Sequence, residues 1–142
     1  MSEENVEVVR RSNAAFMRGD LDALEKTYHA DVRWRDLQHA PDAPSEVRGI
    51  EALKRIWTDW LDAFPDLRAD ISEYIDRGDN VICVVHWHGR GQGSGIHIDQ
   101  HTVDSFEVQG GLITRATLGA RSKEQALEAV ELWELGDVGE EH

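Results

Sequence analysis

Residues 103–115, VDSFEVQGGLITR, decide the fold class of this chain. Apolar and β-branched residues flank the central QGG, and such residues are typical of strands because they pack well on a pleated surface. Two adjacent glycines favour a tight turn, since glycine adopts positive φ angles without steric cost. The stretch therefore predicts two antiparallel strands joined by a hairpin.

The same pattern continues toward the N-terminal side of this hairpin. Segments rich in β-branched residues alternate with the turn signals RGDN, GQGSG and QGG. The second half of the chain is therefore predicted to form four antiparallel strands. They cover residues 67–76, 80–90, 95–108 and 112–120.

Helical spacing of apolar residues dominates the first half and the end of the chain. Gly19 and Pro65 are predicted to end helices, and Asp20 is predicted to cap one. Tyr28 is placed on the apolar face of the second helix. The predicted helices cover residues 3–18, 20–29, 49–64 and 122–135, with a short strand at 32–37 and a loop at 38–49.

Helices followed by an antiparallel meander indicate an α+β fold. The sheet must curl around the N-terminal helices to bury both apolar sets, which predicts a cone-shaped curled antiparallel sheet with a concave interior suited to a ligand. The length of 142 residues suits one domain over residues 1–135, with a frayed polar tail at 136–142.

Charge and composition restrict the possible partners. The net charge of −13 argues against binding to nucleic acid or to an anionic membrane surface, because both require basic patches. No apolar run approaches the roughly 20 residues of a membrane span. The acidic start MSEENVEVVRR is unlike a signal peptide, so a cytoplasmic protein is expected. Cys83, the single cysteine, excludes an internal disulfide and a cysteine-rich zinc site.

Four stretches carry a resemblance to a known family. They are ENVEVVRRSNAAFMRGDLDALEKTY, HADVRWRD, VDSFEVQGGLITR and EQALEAVEL, and together they span nearly the whole chain. Their order resembles that of the nuclear transport factor 2-like superfamily, and within it the SnoaL-like and ketosteroid isomerase-like proteins. This superfamily includes enzymes, binding proteins and assembly modules, so the resemblance implies the fold but does not select a function.

The resemblance to ketosteroid isomerases implies two catalytic carboxyl groups. Asp36 matches the family's proton-shuttling base at the end of the first strand, and Asp104 matches its protonated oxyanion donor. The family's tyrosine on the first helix is absent, and Ser12 occupies that position. The carboxylate that polyketide cyclases and epoxide hydrolases of the superfamily place on the last strand is also missing from ITRATLGA.

The remaining candidate pocket residues are mostly aromatic. Aromatic side chains supply large apolar area and suit a small hydrophobic molecule, although a packed core explains them equally well. His86 is a candidate, with Ser12, to replace the absent tyrosine. The candidate pocket residues are Ser12, Phe16, Trp34, Trp57, Trp60, His86, His88 and Phe106.

The histidines of residues 86–101 admit two arrangements. His86 and His88 share one strand face, and His97, Asp99 and His101 share one face of the next strand. If residue 88 faces residue 97, the two sets meet and form a candidate metal site; if it faces residue 98, they separate. Because histidine spacing alone is a weak signal, we expect no metal and no cofactor.

Three functions therefore remain open. The leading interpretation is an isomerase, cyclase or dehydratase that acts by acid–base catalysis on a hydrophobic carbonyl compound. The alternatives are a non-catalytic ligand-binding or dimerisation module and a metal-dependent enzyme using the histidines. A homodimer is predicted through an apolar outer sheet face that contains Val81, Cys83, Val85, Trp87 and Val103.

Overall fold

Four helices and six strands make up the parts of the chain that the computed structural model describes, which are residues 2–38, 46–91 and 95–140. The α+β prediction is confirmed, and the sheet is curled without closing into a barrel. The elements are α1 Ser2–Arg18, α2 Leu21–Glu25, β1 Tyr28–Asp36, β2 Glu46–Arg48, α3 Ile50–Ala63, β3 Arg68–Arg77, β4 Asn80–Arg90, β5 His97–Gln109, β6 Leu112–Ala120 and α4 Lys123–Glu140.

The sheet has the strand order β2-β1-β6-β5-β4-β3. The four predicted C-terminal strands form the antiparallel meander, but β1 runs parallel to β6, so the sheet is not wholly antiparallel. Strand β1 comes from the helical half of the chain and joins the free edge of β6, the last strand. Its register sets Asp36 beside Leu118, which brings the end of β1 to the end of β6.

The second helix is shorter than predicted. Asp20 caps it by accepting a hydrogen bond from the Ala23 amide at 3.1 Å, and it ends at Glu25. The Thr27 hydroxyl then donates to the Leu24 carbonyl at 2.7 Å, and the Thr27 carbonyl accepts from the Ile113 amide at 2.8 Å. These bonds turn the chain into the sheet, so Tyr28 begins β1 instead of ending a helix.

Other predicted boundaries also change. The sequence does not predict β2, which pairs with β1 inside the expected 38–49 loop. Helix α4 continues to Glu140, through most of the segment expected to fray. Predictions for residues 39–45, for residues 92–94 of the GQGSG turn and for residues 141–142 lie outside the described residues.

The main core lies between the inner face of the sheet and helices α1 and α3. Val81, Cys83 and Val85 are almost fully buried in it, and Trp87 packs against it. The predicted apolar outer face is therefore wrong for these four residues. Of the five residues predicted for the outer face, only Val103 lies there, in a smaller apolar cluster beside α4. The other four side chains are therefore not available for an apolar dimer interface.

Helix α4 covers part of the outer face through Trp133, which is 4% exposed. The Trp133 indole nitrogen donates to the Thr117 hydroxyl at 2.6 Å. The guanidinium carbons of Arg35 and Arg33 lie 3.9 and 4.6 Å from the ring centroid, within the range of cation–π attraction. Trp133 thus holds α4 against the strands that position Asp36 and Asp104.

We expect Trp133→Ala to lower the free energy of unfolding by about 3–5 kcal/mol, because it removes a large buried side chain. Trp133→Phe should cost less, since it keeps apolar contact but leaves the Thr117 hydroxyl without its donor. Urea unfolding followed by circular dichroism measures both variants. Leu132→Ala is the matched control, because Leu132 is 61% exposed; an equal loss in the control would contradict the assignment.

Candidate active site

Two neighbouring cavities lie on the inner side of the sheet. The inner cavity has a volume of about 50 Å³ and contains Ser12, Tyr28 and Asp104 in its lining. The outer cavity has a volume of about 220 Å³ and contains Asp36 and Thr102. Both cavities are lined by Trp60, Trp87 and Leu118. The inner space suits one or two water molecules, whereas the outer one is large enough for a small organic ring.

Asp104 is the most deeply buried carboxyl group of the site, with 1% of its surface exposed. Its Oδ1 accepts a hydrogen bond from the Gly119 amide at 2.9 Å, and its Oδ2 lies 3.4 Å from the Trp87 indole nitrogen. Burial raises the pKa of Asp104 from 3.8 to about 6, although the Gly119 amide opposes this rise. An acid in this setting can exchange a proton near neutral pH.

Asp36 is half-buried at the end of β1 and reaches the outer cavity. Its Oδ1 accepts a hydrogen bond from the Gln38 amide at 2.9 Å. The negative charge of Asp36 contributes to the raised pKa of Asp104, so the two carboxyl groups interact electrostatically. The two predicted catalytic residues therefore line neighbouring cavities in different environments, Asp36 the outer one and Asp104 the inner one.

Gly119 lies between these two carboxyl groups. Its φ is +88°, a conformation that side chains disfavour, and a Cβ atom built there would lie 3.2 Å from Asp36 Oδ1. The same residue supplies the amide that binds Asp104. The absence of a side chain at residue 119 thus leaves room for Asp36, while the amide of the same residue binds Asp104.

Tyr28 and Ser12 lie in the inner cavity, and both are buried. Burial raises the pKa of Tyr28, and the Ser12 hydroxyl beside it opposes the rise. A phenol is therefore present in the cavity although it comes from β1 and not from the first helix. Sequence reasoning misses it because Tyr28 fits the helical periodicity of residues 20–29.

Aromatic rings separate the two cavities. Trp60 and Trp87 meet edge to face with centroids 6.2 Å apart, and Phe16 contacts Trp87 in the same way at 5.8 Å. Phe106 lines the inner cavity, as do Trp34 and Trp57. The aromatic residues predicted for the pocket therefore do lie in it. Trp87, predicted on the outer face, joins them.

Thr102 is a site residue that the sequence does not single out. It is 5% exposed, lines the outer cavity and is the neighbour of Asp104 on the inner face of β5. Its hydroxyl lies close enough to Asp104 to lower the pKa of that acid, yet it makes no hydrogen bond of normal geometry to any described atom. A buried hydroxyl without a well-formed hydrogen bond is costly, which singles out Thr102 as a candidate site residue next to Asp104.

The prediction that His86 and His88 line the pocket is corrected by the register of β4 and β5. His86 pairs with His101 and His88 pairs with Asp99, whereas Cys83 pairs with Asp104. Successive side chains point to opposite faces, so the three histidines lie on the outer face when Asp104 lies inside. Neither His86 nor His88 lines the inner cavity or the outer cavity.

The family of the chain follows from comparison with known proteins. The SnoaL-like domain matches residues 9–116, which include β1, the meander up to most of β6 and both carboxyl groups. The chain therefore belongs to the SnoaL-like domain family. No curated protein matches it significantly.

Solved structures share the fold. Bal32a from a soil-derived mobile gene cassette is 22% identical, with a TM-score of 0.75 over 83% of this chain and 89% of Bal32a. TerC, co-crystallised with polyporic acid, is 20% identical, with a TM-score of 0.72 over 82% of this chain and 91% of TerC. A candidate SnoaL-like polyketide cyclase from Jannaschia sp. CCS1 is 22% identical, with a TM-score of 0.73 over 92% of this chain and 90% of that protein. At these identities the likeness establishes the fold alone.

We expect Gly119→Ala to destabilise the protein more than Gly110→Ala. Both glycines have positive φ, at +88° and +61°, so alanine introduces backbone strain of about 1–2 kcal/mol at either position. Only at residue 119 does the new methyl group meet Asp36 and Gln38, because nothing lies within 4 Å of a Cβ at residue 110. Urea unfolding compares the two variants, and equal losses would contradict the crowding of Asp36.

Asp104→Asn should change how stability depends on pH. The folded-state pKa of Asp104 is raised from 3.8 to about 6, so its stabilising contribution is present in full below pH 3.8 and is lost as pH rises through about 6. A pKa of about 6 in place of 3.8 corresponds to roughly 3 kcal/mol. The stability of the native chain relative to Asp104→Asn should therefore fall by about that amount between about pH 4 and pH 7.

Urea unfolding at several pH values measures this difference. Asp31→Asn controls for the loss of one negative charge, because Asp31 is exposed on β1. A relative stability that stays constant over this pH range would show that Asp104 titrates as an ordinary carboxyl group.

Proposed function

We propose that this SnoaL-like protein is an isomerase, cyclase or dehydratase that acts by acid–base catalysis on a small hydrophobic carbonyl compound. The observation that carries the proposal is the position of Asp36 and Asp104 around Gly119, one half-buried at the outer cavity and the other fully buried. Different environments separate the protonation states of two carboxyl groups, which is what a base and an acid in one site require.

Asp36 is the proposed base. It lines the outer cavity of about 220 Å³, where a ligand can be held against Trp60 and Trp87. An apolar cavity of about 150 Å³ is sufficient for benzene, so this volume accommodates a substituted ring. A carboxylate beside such a ring can remove a proton from the carbon next to a carbonyl group.

Asp104 and Thr102 are the proposed donors to the oxygen that becomes negative. Thr102 lines the outer cavity, and its buried hydroxyl lies close to Asp104, which lines the inner cavity. A ligand that fills the cavity displaces water, which further favours the protonated form of Asp104. Hydrogen-bond donors already in place stabilise an oxyanion without reorganisation during the reaction.

A binding protein without catalytic activity is the second candidate. The packed aromatic rings and the small inner cavity favour it, since they provide apolar contact without room for substrate beside Asp104. Polyporic acid, with which the structural neighbour TerC was co-crystallised, is a suitable first probe. Quenching of tryptophan fluorescence reports its binding, because four of the five tryptophans line the cavities.

The catalytic proposal predicts an order of activities with β,γ-unsaturated ketones or cyclic enones. Asp36→Asn should lower kcat by about 10²–10⁴-fold, because an amide cannot accept the proton. Asp104→Ala should cause a loss equal to or smaller than this. Asp104→Asn should be the mildest change at Asp104, since its amide can still donate a hydrogen bond. Steady-state rates measured by absorbance test the order.

Thr102→Val serves as a nearly isosteric test of the hydroxyl, and Asp31→Asn serves as a control outside the cavity. Ligand binding is measured for each variant by fluorescence. Full activity in Asp36→Asn would refute the proposed base. Tight binding with no turnover of any substrate tried would favour the binding-protein candidate instead.

The location and assembly of the protein stay predictions. Among the described residues, no helix combines the length and the apolar character needed to cross a bilayer. A cytoplasmic location is proposed from the sequence, whereas the predicted homodimer would need a surface other than the apolar face expected, because most of that face is buried in the core. The outer face available to a partner is polar around His86 and His88, which differs from the apolar face expected.

A further inference from the structure

We propose that the outer face of β3 and β4 binds a divalent transition-metal ion, with Zn²⁺ as the model ion, through Asp70, His86 and His88. This site lies on the side of the sheet opposite the cavities, and it does not depend on the proposed catalytic function. The sequence alone does not determine the strand register. The expectation that no metal is retained therefore does not take into account which side chains face each other. The register now brings the histidines together.

The strands place five possible ligands side by side. Asp70 on β3 pairs with His86 on β4, and His86 pairs with His101 on β5. His88 is the next residue of β4 on the same face as His86, and it pairs with Asp99. Two diagonal contacts connect these rows, from His88 Nε2 to Asp70 Oδ2 and from His86 Nε2 to Asp99 Oδ1, each at 2.6 Å.

The ligand atoms are close enough for one ion. In each of two groups, Asp70–His86–His88 and His86–Asp99–His101, all ligand atoms lie within 4.8 Å of one another. Ligand atoms bound to Zn²⁺ at about 2 Å are separated by roughly 3–4 Å, so small side-chain rotations are sufficient. His86 belongs to both groups, so only one of the two groups can bind an ion through it at a time.

The first group is the better site. Its two histidines are partly buried, whereas in the second group only His86 is. Asp70 is also less exposed than Asp99, with 58% against 74% of the side chain accessible. Asp99 then remains beside His86 as a carboxylate that orients the ring, an arrangement common around metal-binding histidines.

The charges and chemistry of the cluster suit a transition metal. Asp70 and Asp99 supply carboxylate oxygens directly beside the imidazole nitrogens of His88 and His86. Imidazole nitrogen favours Zn²⁺, Ni²⁺ or Cu²⁺ over Mg²⁺, which prefers oxygen ligands. Two histidines and one carboxylate also leave coordination positions open for water or another ligand.

Calorimetric titration of the untagged, chelator-treated chain with ZnCl₂ tests the site. We expect one Zn²⁺ per chain and no comparable heat with MgCl₂. His86→Gln, His88→Gln and Asp70→Asn should each weaken Zn²⁺ binding at least about tenfold. His97→Gln is the matched control, because His97 is on the same face of β5 but belongs to neither group.

Variants of the second group decide between the two arrangements. Asp99→Asn and His101→Gln should weaken binding less than Asp70→Asn and His88→Gln. The reverse order would overturn the assignment to Asp70, His86 and His88. Absence of Zn²⁺ binding, a loss no larger than in His97→Gln, or one ion shared by two chains would overturn the proposed site. Circular dichroism of every variant confirms that the fold is retained, and Co²⁺ absorption provides an independent spectroscopic signal of nitrogen ligation.

Discussion

The pairing of Cys83 with Asp104 fixes the face on which every side chain of β4 and β5 lies. Because side chains alternate along a strand, a slip of one residue would reverse the faces of one strand relative to the other. On β4 the present register buries Val81, Cys83 and Val85. Exposing three such side chains would cost roughly 5 kcal/mol, a large part of the stability of a small domain. The core thus imposes the register, and the register determines the two sites.

Asp104 has an unfavourable position in this arrangement. Burying a carboxyl group is costly unless hydrogen bonds compensate, and the raised pKa of Asp104 reflects the part that is not compensated. The Gly119 amide and the Trp87 indole supply partners, but both belong to elements that also shape the cavity. A position maintained at a cost to stability is typical of functional sites, and this supports the acid–base proposal independently of the family.

The two faces of the sheet carry different chemistry. The inner face offers carboxyl groups and hydroxyls in an aromatic setting, where hydrogen bonds and charge interactions are strong. The outer face offers imidazole and carboxylate groups near water, a set of ligands that suits a transition-metal ion. The alternation of the strands produces this separation, since His86 and His88 alternate with Val85 and Trp87 along the same strand. Metal binding and ligand binding can therefore be tested separately.

Much of the fold could be predicted from the sequence. Turn signals and β-branched segments identify the four-strand meander, and motifs spread along the chain identify the superfamily and the candidate residues Asp36 and Asp104. Local patterns are sufficient for these features because they depend on residues close in sequence. The parallel contact of β1 with β6 and the place of Tyr28 in β1 could not be predicted, because the hydrogen bond that the Thr27 carbonyl accepts from the distant Ile113 amide overrides the helical periodicity there.

The composition of the candidate site depended on the tertiary structure. The sequence supplied Asp36, Asp104 and the aromatic residues, but it assigned His86 and His88 to the pocket and Trp87 to the outer face. It did not indicate that the buried hydroxyl of Thr102 belongs to the site or that Gly119 lies between the two carboxyl groups. Period-two alternation divides each strand into two faces but does not say which face is inside. Only packing against α1 and α3 makes that choice, because it buries the apolar side chains and leaves the histidines on the outer face.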